Sequence, residues 1–164
     1  NVLISYDGQV KLIDFGIAKA AGKITRTQAG AIKGKIGYMS PEQLTASTVD
    51  RRADVFALGI CLWECLAGRR LFDGPNEIAI MEQIRSGSVP APSRVAPGIP
   101  PYLDPVVLKA LAKSPEERYS TAREFEADLE AVARHLPGGG DARRIGTLMR
   151  ELFPNEAPPS GARG

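Results

Sequence analysis

The pattern of apolar and polar residues is typical of β-strands at the start of the chain and of helices in its later part. Two short β-type runs, at residues 2–4 and 9–13, flank the turn sequence Tyr-Asp-Gly at residues 6–8. An Asp-Gly pair between two such runs is a strong signal for a β-hairpin. This hairpin would bring its two outer ends, Asn1 and Asp14, close together.

The later periodic segments have a helical pattern. Residues 53–68 are apolar almost all round, which predicts a buried central helix that ends at Gly68. Three more helices are predicted. Asn76 would cap the first, Asp104 would cap the second with Pro105 in its first turn, and a capping box at residues 121–124 would start the third. The side chains expected to face inward are Ile78, Met81, Ile84, Val107, Leu108, Leu111, Ala112, Ala122, Phe125, Leu129, Val132 and Leu136. The prediction is a mainly α lobe with one small hairpin.

The lobe is expected to occupy residues 1–136 as one domain. Residues 137–140 read Pro-Gly-Gly-Gly and cannot continue a helix. Residues 141–153 form a separate amphipathic segment, which either packs on the lobe or begins a linker. Its apolar face is expected to carry Ile145, Leu148, Met149 and Leu152. The remaining residues, 154–164, are polar, rich in proline and expected to be disordered.

Composition excludes several classes of function. The net charge of +2 gives no reason to expect nucleic-acid or membrane-surface binding. Cys61 and Cys65 lie within the apolar helix, where they are expected to act as small hydrophobes in a reduced, cytoplasmic setting. The apolar run at residues 55–66 is too short to span a bilayer and is interrupted by Glu64. Nothing in the sequence indicates an oligomeric state.

The second hairpin strand leads directly into Asp14, Phe15 and Gly16. The tripeptide alone is more typical of a strand end followed by a turn, and Asn1 alone of a cap or turn residue. Placed together, however, an amide oxygen and a carboxylate are hard ligands that suit Mg²⁺. The combination favours a magnesium site formed by Asn1 and Asp14.

Residues 17–39 show no sustained periodicity and are rich in glycine and basic side chains. A loop this long in a compact domain is uncommon unless it is functional or disordered. Thr25 and Thr27 lie within it. Either threonine could accept a phosphate that orders the loop by pairing with an arginine. The alternative is that both are solvated loop hydroxyls.

These motifs together carry a resemblance to a known family. Asn1, the Asp14 triplet, the sequence Ser-Pro-Glu at residues 40–42 and the helix containing Asp54 have the order and spacing of the C-terminal lobe of eukaryotic-type protein kinases. The sequence Gly-Tyr-Met-Ser-Pro-Glu-Gln at residues 37–43 resembles that of the bacterial (Hanks-type) serine/threonine kinases. The resemblance covers residues 1 to about 136.

The resemblance implies a serine/threonine protein kinase that transfers the γ-phosphoryl group of ATP to protein substrates. Asn1 and Asp14 would hold the Mg²⁺ ions that bridge the ATP phosphates, with Phe15 and Gly16 shaping the backbone beside them. Residues 17–39 would be the activation segment. The surface that receives the substrate would include Lys35 and Tyr38.

The resemblance also implies two structural roles. Glu42 would form a buried ion pair with Arg118. Asp54 would lie in the interior and anchor the backbone of the catalytic loop.

The sequence departs from the family pattern in ways that limit its expected activity. It begins at Asn1 rather than Met, which suggests a piece of a longer protein. The family's catalytic Asp lies five residues before the position of Asn1, and the ATP-binding N-terminal lobe also precedes it. Lys35 stands where such kinases usually place threonine. The fragment alone is therefore expected to be inactive.

A pseudokinase that acts as a scaffold is the alternative interpretation. A membrane anchor elsewhere in the full-length parent is also left open.

Overall fold

A computed structural model describes residues 1–13, 36–45, 47–136 and 141–156. The chain divides into two compact units, called here the hairpin unit (residues 1–25 and 133–164) and the helical unit (residues 26–132). The described part is mainly helical, with a single two-stranded sheet, so the predicted fold class is confirmed. No helix within the described ranges is both long and apolar enough to cross a membrane.

The hairpin unit contains the two predicted strands and a helix near the C-terminus. Strands β1 (Val2–Ile4) and β2 (Val10–Leu12) pair antiparallel, with Val2 opposite Leu12. The turn closes where the Gly8 amide donates to the Ser5 carbonyl at 2.9 Å.

The helices of the structure are α1 (Pro41–Leu44), α2 (Arg52–Ala67), α3 (Glu77–Ser86), α4 (Pro92–Val95), α5 (Asp104–Ala110), α6 (Ala122–Ala133) and α7 (Ala142–Leu152). Helix α7 belongs to the hairpin unit. Short 3₁₀ turns lie at Pro101–Leu103 and Pro115–Glu117.

Helix α2 is the buried centre of the helical unit, as predicted. It buries Phe56, Ile60 and Trp63 almost completely and ends at Gly68, whose φ of 65° is left-handed. The indole N–H of Trp63 donates to the Pro90 carbonyl at 2.8 Å, so this large side chain is buried without losing its hydrogen bond.

Helices α3, α5 and α6 share the buried core of the helical unit with α2, with some differences from the predicted pattern. Asn76 caps α3 by accepting a hydrogen bond from the Ala79 amide, as expected. The inward residues of α3 are Ile80 and Ile84, whereas Ile78 is 77% exposed, so its predicted inward position is wrong. Ile78 lies in the first turn of α3 between the half-buried Glu77 and Ala79, on the side that no other described element covers.

Two further corrections concern the starts of α5 and α6. Asp104 is the first helical residue rather than the cap, because its carboxylate instead accepts hydrogen bonds from the amide and hydroxyl of Ser93. Ala122 is exposed, since the buried stripe of α6 begins one turn later at Phe125. Phe125 stacks on the buried Tyr119 ring with centroids 5.1 Å apart.

A buried ion pair joins α1 to the segment before α6. The Arg118 guanidinium donates to both carboxylate oxygens of Glu42, at 2.7 and 2.8 Å, and the two residues are only 4% and 7% exposed. Its remaining donors bond the carbonyl oxygens of Ala112, Lys113 and Arg52. The arginine therefore satisfies its donors while linking three segments of the helical unit.

We predict that Arg118→Ala lowers the free energy of unfolding of the helical unit by about 3–5 kcal/mol, because Glu42 is left buried and unpaired. Urea unfolding followed by the fluorescence of Trp63, the sole tryptophan, measures this directly. The control is Arg85→Ala, which breaks only an exposed 3.8 Å contact with Glu82 and should cost less than ~1 kcal/mol. Equal effects of the two substitutions would contradict the structural role of Arg118.

We also predict a pH dependence that arises from Glu42. Burial opposes ionisation of its carboxyl, but the hydrogen bonds and charge of Arg118 outweigh burial, so the Glu42 pKa lies below its usual value of 4.5. A depressed folded-state pKa adds stability that is fully present above about pH 4.5 and is lost as the pH falls through the folded pKa.

The difference in unfolding free energy between wild type and Glu42→Gln should therefore shrink on acidification below about pH 4.5. Both proteins keep the exposed carboxylates Asp50 and Glu116, so this difference isolates Glu42. A difference that stays constant with pH would rule out the linkage.

Candidate active site

The open end of the hairpin places Asn1 beside the end of β2. The Asn1 carbonyl accepts a hydrogen bond from the Ile13 amide at 2.9 Å, which extends the strand pairing by one step beyond Val2 and Leu12. The Asn1 side chain is exposed, so its amide oxygen is accessible to a ligand. The hairpin thus presents one hard oxygen donor immediately beside the residue that precedes Asp14.

The predicted site residues fall into two groups. Asn1, Tyr38, Glu42, Asp54 and Arg118 are described by the structure. The residues whose positions lie outside the described ranges are Asp14, Phe15, Gly16, Thr25, Thr27 and Lys35.

A hydrogen-bonded network surrounds Tyr38, which the sequence assigns to the substrate surface. The Tyr38 hydroxyl donates to the Glu64 carboxylate at 2.7 Å and accepts from Arg70 at 3.0 Å. The Arg70 guanidinium also lies over the Tyr38 ring, 5.4 Å from its centroid. The other carboxylate oxygen of Glu64 accepts from the Leu71 amide at 3.0 Å. Glu64 therefore fixes both the tyrosine and the chain that follows α2.

This network raises the pKa of the Tyr38 phenol. Burial, together with the hydrogen bond and negative charge of Glu64, raises the pKa of Tyr38 to about 12. Near neutral pH the phenol is protonated, as it would be at its usual pKa of 10, and donates its hydrogen to Glu64. Its role in this geometry is to hold the segment 36–40 in place.

Glu64 and Arg70 were not identified as site residues from the sequence. In the sequence pattern Glu64 is only the charge that interrupts an apolar run. That interruption was the available signal, because an acidic residue on a buried helix requires a partner. The identity of the partner depends on the path of the chain after Gly68, which periodicity does not give.

The prediction that Asp54 lies in the interior is wrong for this chain. Asp54 is exposed in the first turn of α2, and Leu58, one turn later, is 38% exposed. The helix buries Val55, Phe56 and Ile60 instead, so Asp54 and Leu58 lie on its uncovered side. An anchoring role for Asp54 toward a catalytic loop stays a prediction.

A polar groove of about 480 Å³ lies beside the ion pair in the helical unit. The Lys113 ammonium is committed within the fold, since it donates to the carbonyl oxygens of Gln83 and Ile84. Burial, and then the charge of Arg118, lower the Lys113 pKa. The acidic and basic side chains that line the groove balance one another: Glu42, Asp50, Glu116, Arg52, Arg85 and Lys113. The groove therefore shows no preference for ligands of either charge.

Asn1 is the predicted magnesium ligand that lies within the described residues. Within those residues, no three His, Cys, Asp or Glu side chains come together as a metal cluster. An amide oxygen at the hairpin end fits Mg²⁺, which accepts few protein ligands and completes its shell with water and phosphate. The donor chemistry at this end is thus compatible with a nucleotide-bound magnesium ion.

Comparison with known proteins finds similar sequences among bacterial protein kinases. The chain is 42% identical over 157 residues to "Tyrosine-protein kinase MasK" of Myxococcus xanthus, an alignment that covers 95% of this chain and 24% of MasK. It is 42% identical over 167 residues to the serine/threonine-protein kinase PknB of Mycolicibacterium smegmatis, covering 100% of the chain and 26% of PknB. The chain is 41% identical over 136 residues to PknL of Mycobacterium tuberculosis, an alignment that covers 83% of this chain and 34% of PknL.

The chain spans about a quarter to a third of the length of these relatives. The family model described as "Protein kinase domain" matches residues 1–129, which include the hairpin and the helices through most of α6. Since this match covers more than half of the sequence, the chain belongs to the protein kinase family, whose eukaryotic-type bacterial members its motifs resemble.

Proposed function

We propose that this chain is part of a serine/threonine protein kinase that transfers the γ-phosphoryl group of ATP to serine or threonine in protein substrates. The observation that carries the proposal is the paired open end of the hairpin, where the Asn1 carbonyl bonds the Ile13 amide directly before Asp14-Phe15-Gly16. The kinase relatives add support, although MasK is named as a tyrosine kinase and PknB as a serine/threonine kinase.

In this proposal Asn1 and Asp14 hold Mg²⁺ with the ATP phosphates. The bound metal would neutralise charge on the phosphates as the γ-phosphoryl group is transferred. The hairpin supplies a short, paired backbone that orients Asn1. Because phosphoryl transfer depends mainly on positioning and electrostatics, the catalytic Asp and the ATP-binding lobe of the full-length protein are also required. We expect the 164-residue chain alone to be inactive.

The substrate would meet the surface around Lys35 and Tyr38. The contacts of Tyr38 with Glu64 and Arg70 support this assignment, because they immobilise the segment that would face the substrate. Lys35 could contact a phosphate or the catalytic Asp, as a donor in place of the usual threonine. Residues 17–39 would act as the activation segment, and a cytoplasmic setting fits a kinase that uses ATP.

The proposal is tested by incubating the full-length protein with γ-labelled ATP, Mg²⁺ and protein acceptors, followed by phosphoamino-acid analysis. Label on phosphoserine or phosphothreonine supports the proposal, whereas label on phosphotyrosine would assign the acceptor class named for MasK. A protein that binds Mg²⁺ and ATP but transfers no label would be the pseudokinase.

We predict that Asp14→Ala in the full-length protein reduces phosphoryl transfer by at least ~100-fold, because charge stabilisation at the transferring group is lost. Asn1→Ala should lower the rate of transfer less than Asp14→Ala does. A raised Mg²⁺ concentration should compensate for the missing ligand. Initial rates over a range of Mg²⁺ concentrations measure both effects. The matched control, Glu130→Ala, removes an exposed carboxylate on α6 and should leave the rate unchanged. Full activity of Asp14→Ala would exclude the metal role.

We further predict that Thr25 or Thr27 carries phosphate in an active preparation, because an added charge among the basic residues of the loop would order it. Phosphopeptide mapping identifies the modified residue. Replacing both threonines by alanine should lower the rate of substrate phosphorylation. An active preparation with neither residue occupied would remove this regulatory role.

A further inference from the structure

The β-hairpin is too small to be stable through its own pairing. Its strands contain three residues each, and an isolated two-stranded hairpin is at best marginally stable in water. The apolar side chains of both strands are 42–57% exposed. Within the described part of the hairpin unit, the close packing of the hairpin lies at its turn.

Helix α7 supplies that packing through a contact between two backbones. A Cβ atom added to Gly146 would lie 2.7 Å from the Tyr6 carbonyl oxygen and 3.1 Å from the Asp7 carbonyl carbon. A Cβ added to Gly8 would clash with the Ala142 carbonyl group and lie 3.0 Å from the Gly146 nitrogen. Both glycines are buried. The helix and the turn can approach this closely because neither position carries a side chain.

The rest of α7 is arranged around this contact. The helix starts at an Asp141 cap, which accepts from the Arg143 amide at 2.9 Å. Ile145 and Met149 are half-buried, whereas Leu148 and Leu152 of the predicted apolar face are 51% and 61% exposed. Arg150 lies 3.4 Å from Asp7, an exposed pair that contributes little.

Glycine inside a helix is unfavourable, costing about 1 kcal/mol relative to alanine. At position 146 this intrinsic cost accompanies a close approach of α7 to the Tyr6 carbonyl. Steric complementarity, rather than helix propensity, therefore accounts for the glycine at this position.

We propose that α7 is a strap that holds the hairpin turn through Gly146 and Gly8 and thereby stabilises the whole hairpin, including the end that carries Asn1. The amide of Ile13, bonded to the Asn1 carbonyl, lies at the far end of the same three-pair ladder. Since so short a ladder is at best marginally stable by itself, release of the turn destabilises its open end as well.

Gly146→Ala is the informative substitution. It favours the helix itself but places a methyl group against the Tyr6 carbonyl, so it separates docking from helix formation. Gly8→Ala is less suitable, because the φ of 79° at this residue strains any side chain. The matched control is Thr147→Ala, which also raises helix propensity but lies on the exposed side of α7.

Hydrogen exchange of the Gly8 and Ile13 amides, measured by NMR on the 164-residue chain, tests the strap. We expect both amides to exchange at least ~10-fold faster in Gly146→Ala and to keep the wild-type rate in Thr147→Ala. Unchanged Trp63 fluorescence would show that the helical unit stays folded. Wild-type exchange at Gly8 in Gly146→Ala would overturn the strap. Faster exchange at Gly8 with wild-type exchange at Ile13 would overturn its effect on the open end.

The consequence for catalysis rests on the proposed kinase function. In the full-length protein, Gly146→Ala should raise the Mg²⁺ concentration for half-maximal phosphoryl transfer by at least ~3-fold, with Thr147→Ala at the wild-type value. An unchanged Mg²⁺ requirement with faster amide exchange would overturn the catalytic coupling alone. A wild-type protein without transferase activity would overturn the proposed function, and the exchange measurement would still decide the strap.

Discussion

The helical unit depends on the buried ion pair between Glu42 and Arg118. These residues are far apart in the chain, and two short hydrogen bonds join them where solvent is nearly excluded. The same arginine binds the carbonyl oxygens of Arg52 at the start of α2 and of Lys113 after α5, so one guanidinium joins segments that are distant in the chain. A planar group with five donors can do this, whereas a lysine ammonium could not match the bidentate geometry.

The ion pair also bears on the segment that contains Tyr38. Glu42 lies in the first turn of α1, and buried Ser40 precedes it and donates its amide hydrogen to Gln43. Tyr38 is held on the other side of this segment by Glu64. This segment is thus held at two points, where Tyr38 bonds Glu64 of α2 and where Glu42 bonds Arg118.

The hairpin unit has a different source of order. Its strands bury little apolar area, and the close approach of Gly8 and Gly146 replaces the side-chain packing that stabilises the helical unit. Steric contact of this kind depends strongly on distance, so a single added methyl group at Gly146 is enough to disturb it.

Local sequence signals determined the elements of this protein. The Asp-Gly turn specified the hairpin, Gly68 the end of α2, and Asn76 the start of α3, because each acts through its own backbone or its immediate neighbours. The motif order also specified the family, and with it the pairing of Glu42 with Arg118. Tertiary structure alone decided that Ile78 faces solvent, that Asp54 is exposed, that Arg70 joins Tyr38 and Glu64, and that Gly146 meets the turn. These outcomes depend on which distant surface covers a residue, and periodicity along one segment carries no information about that surface.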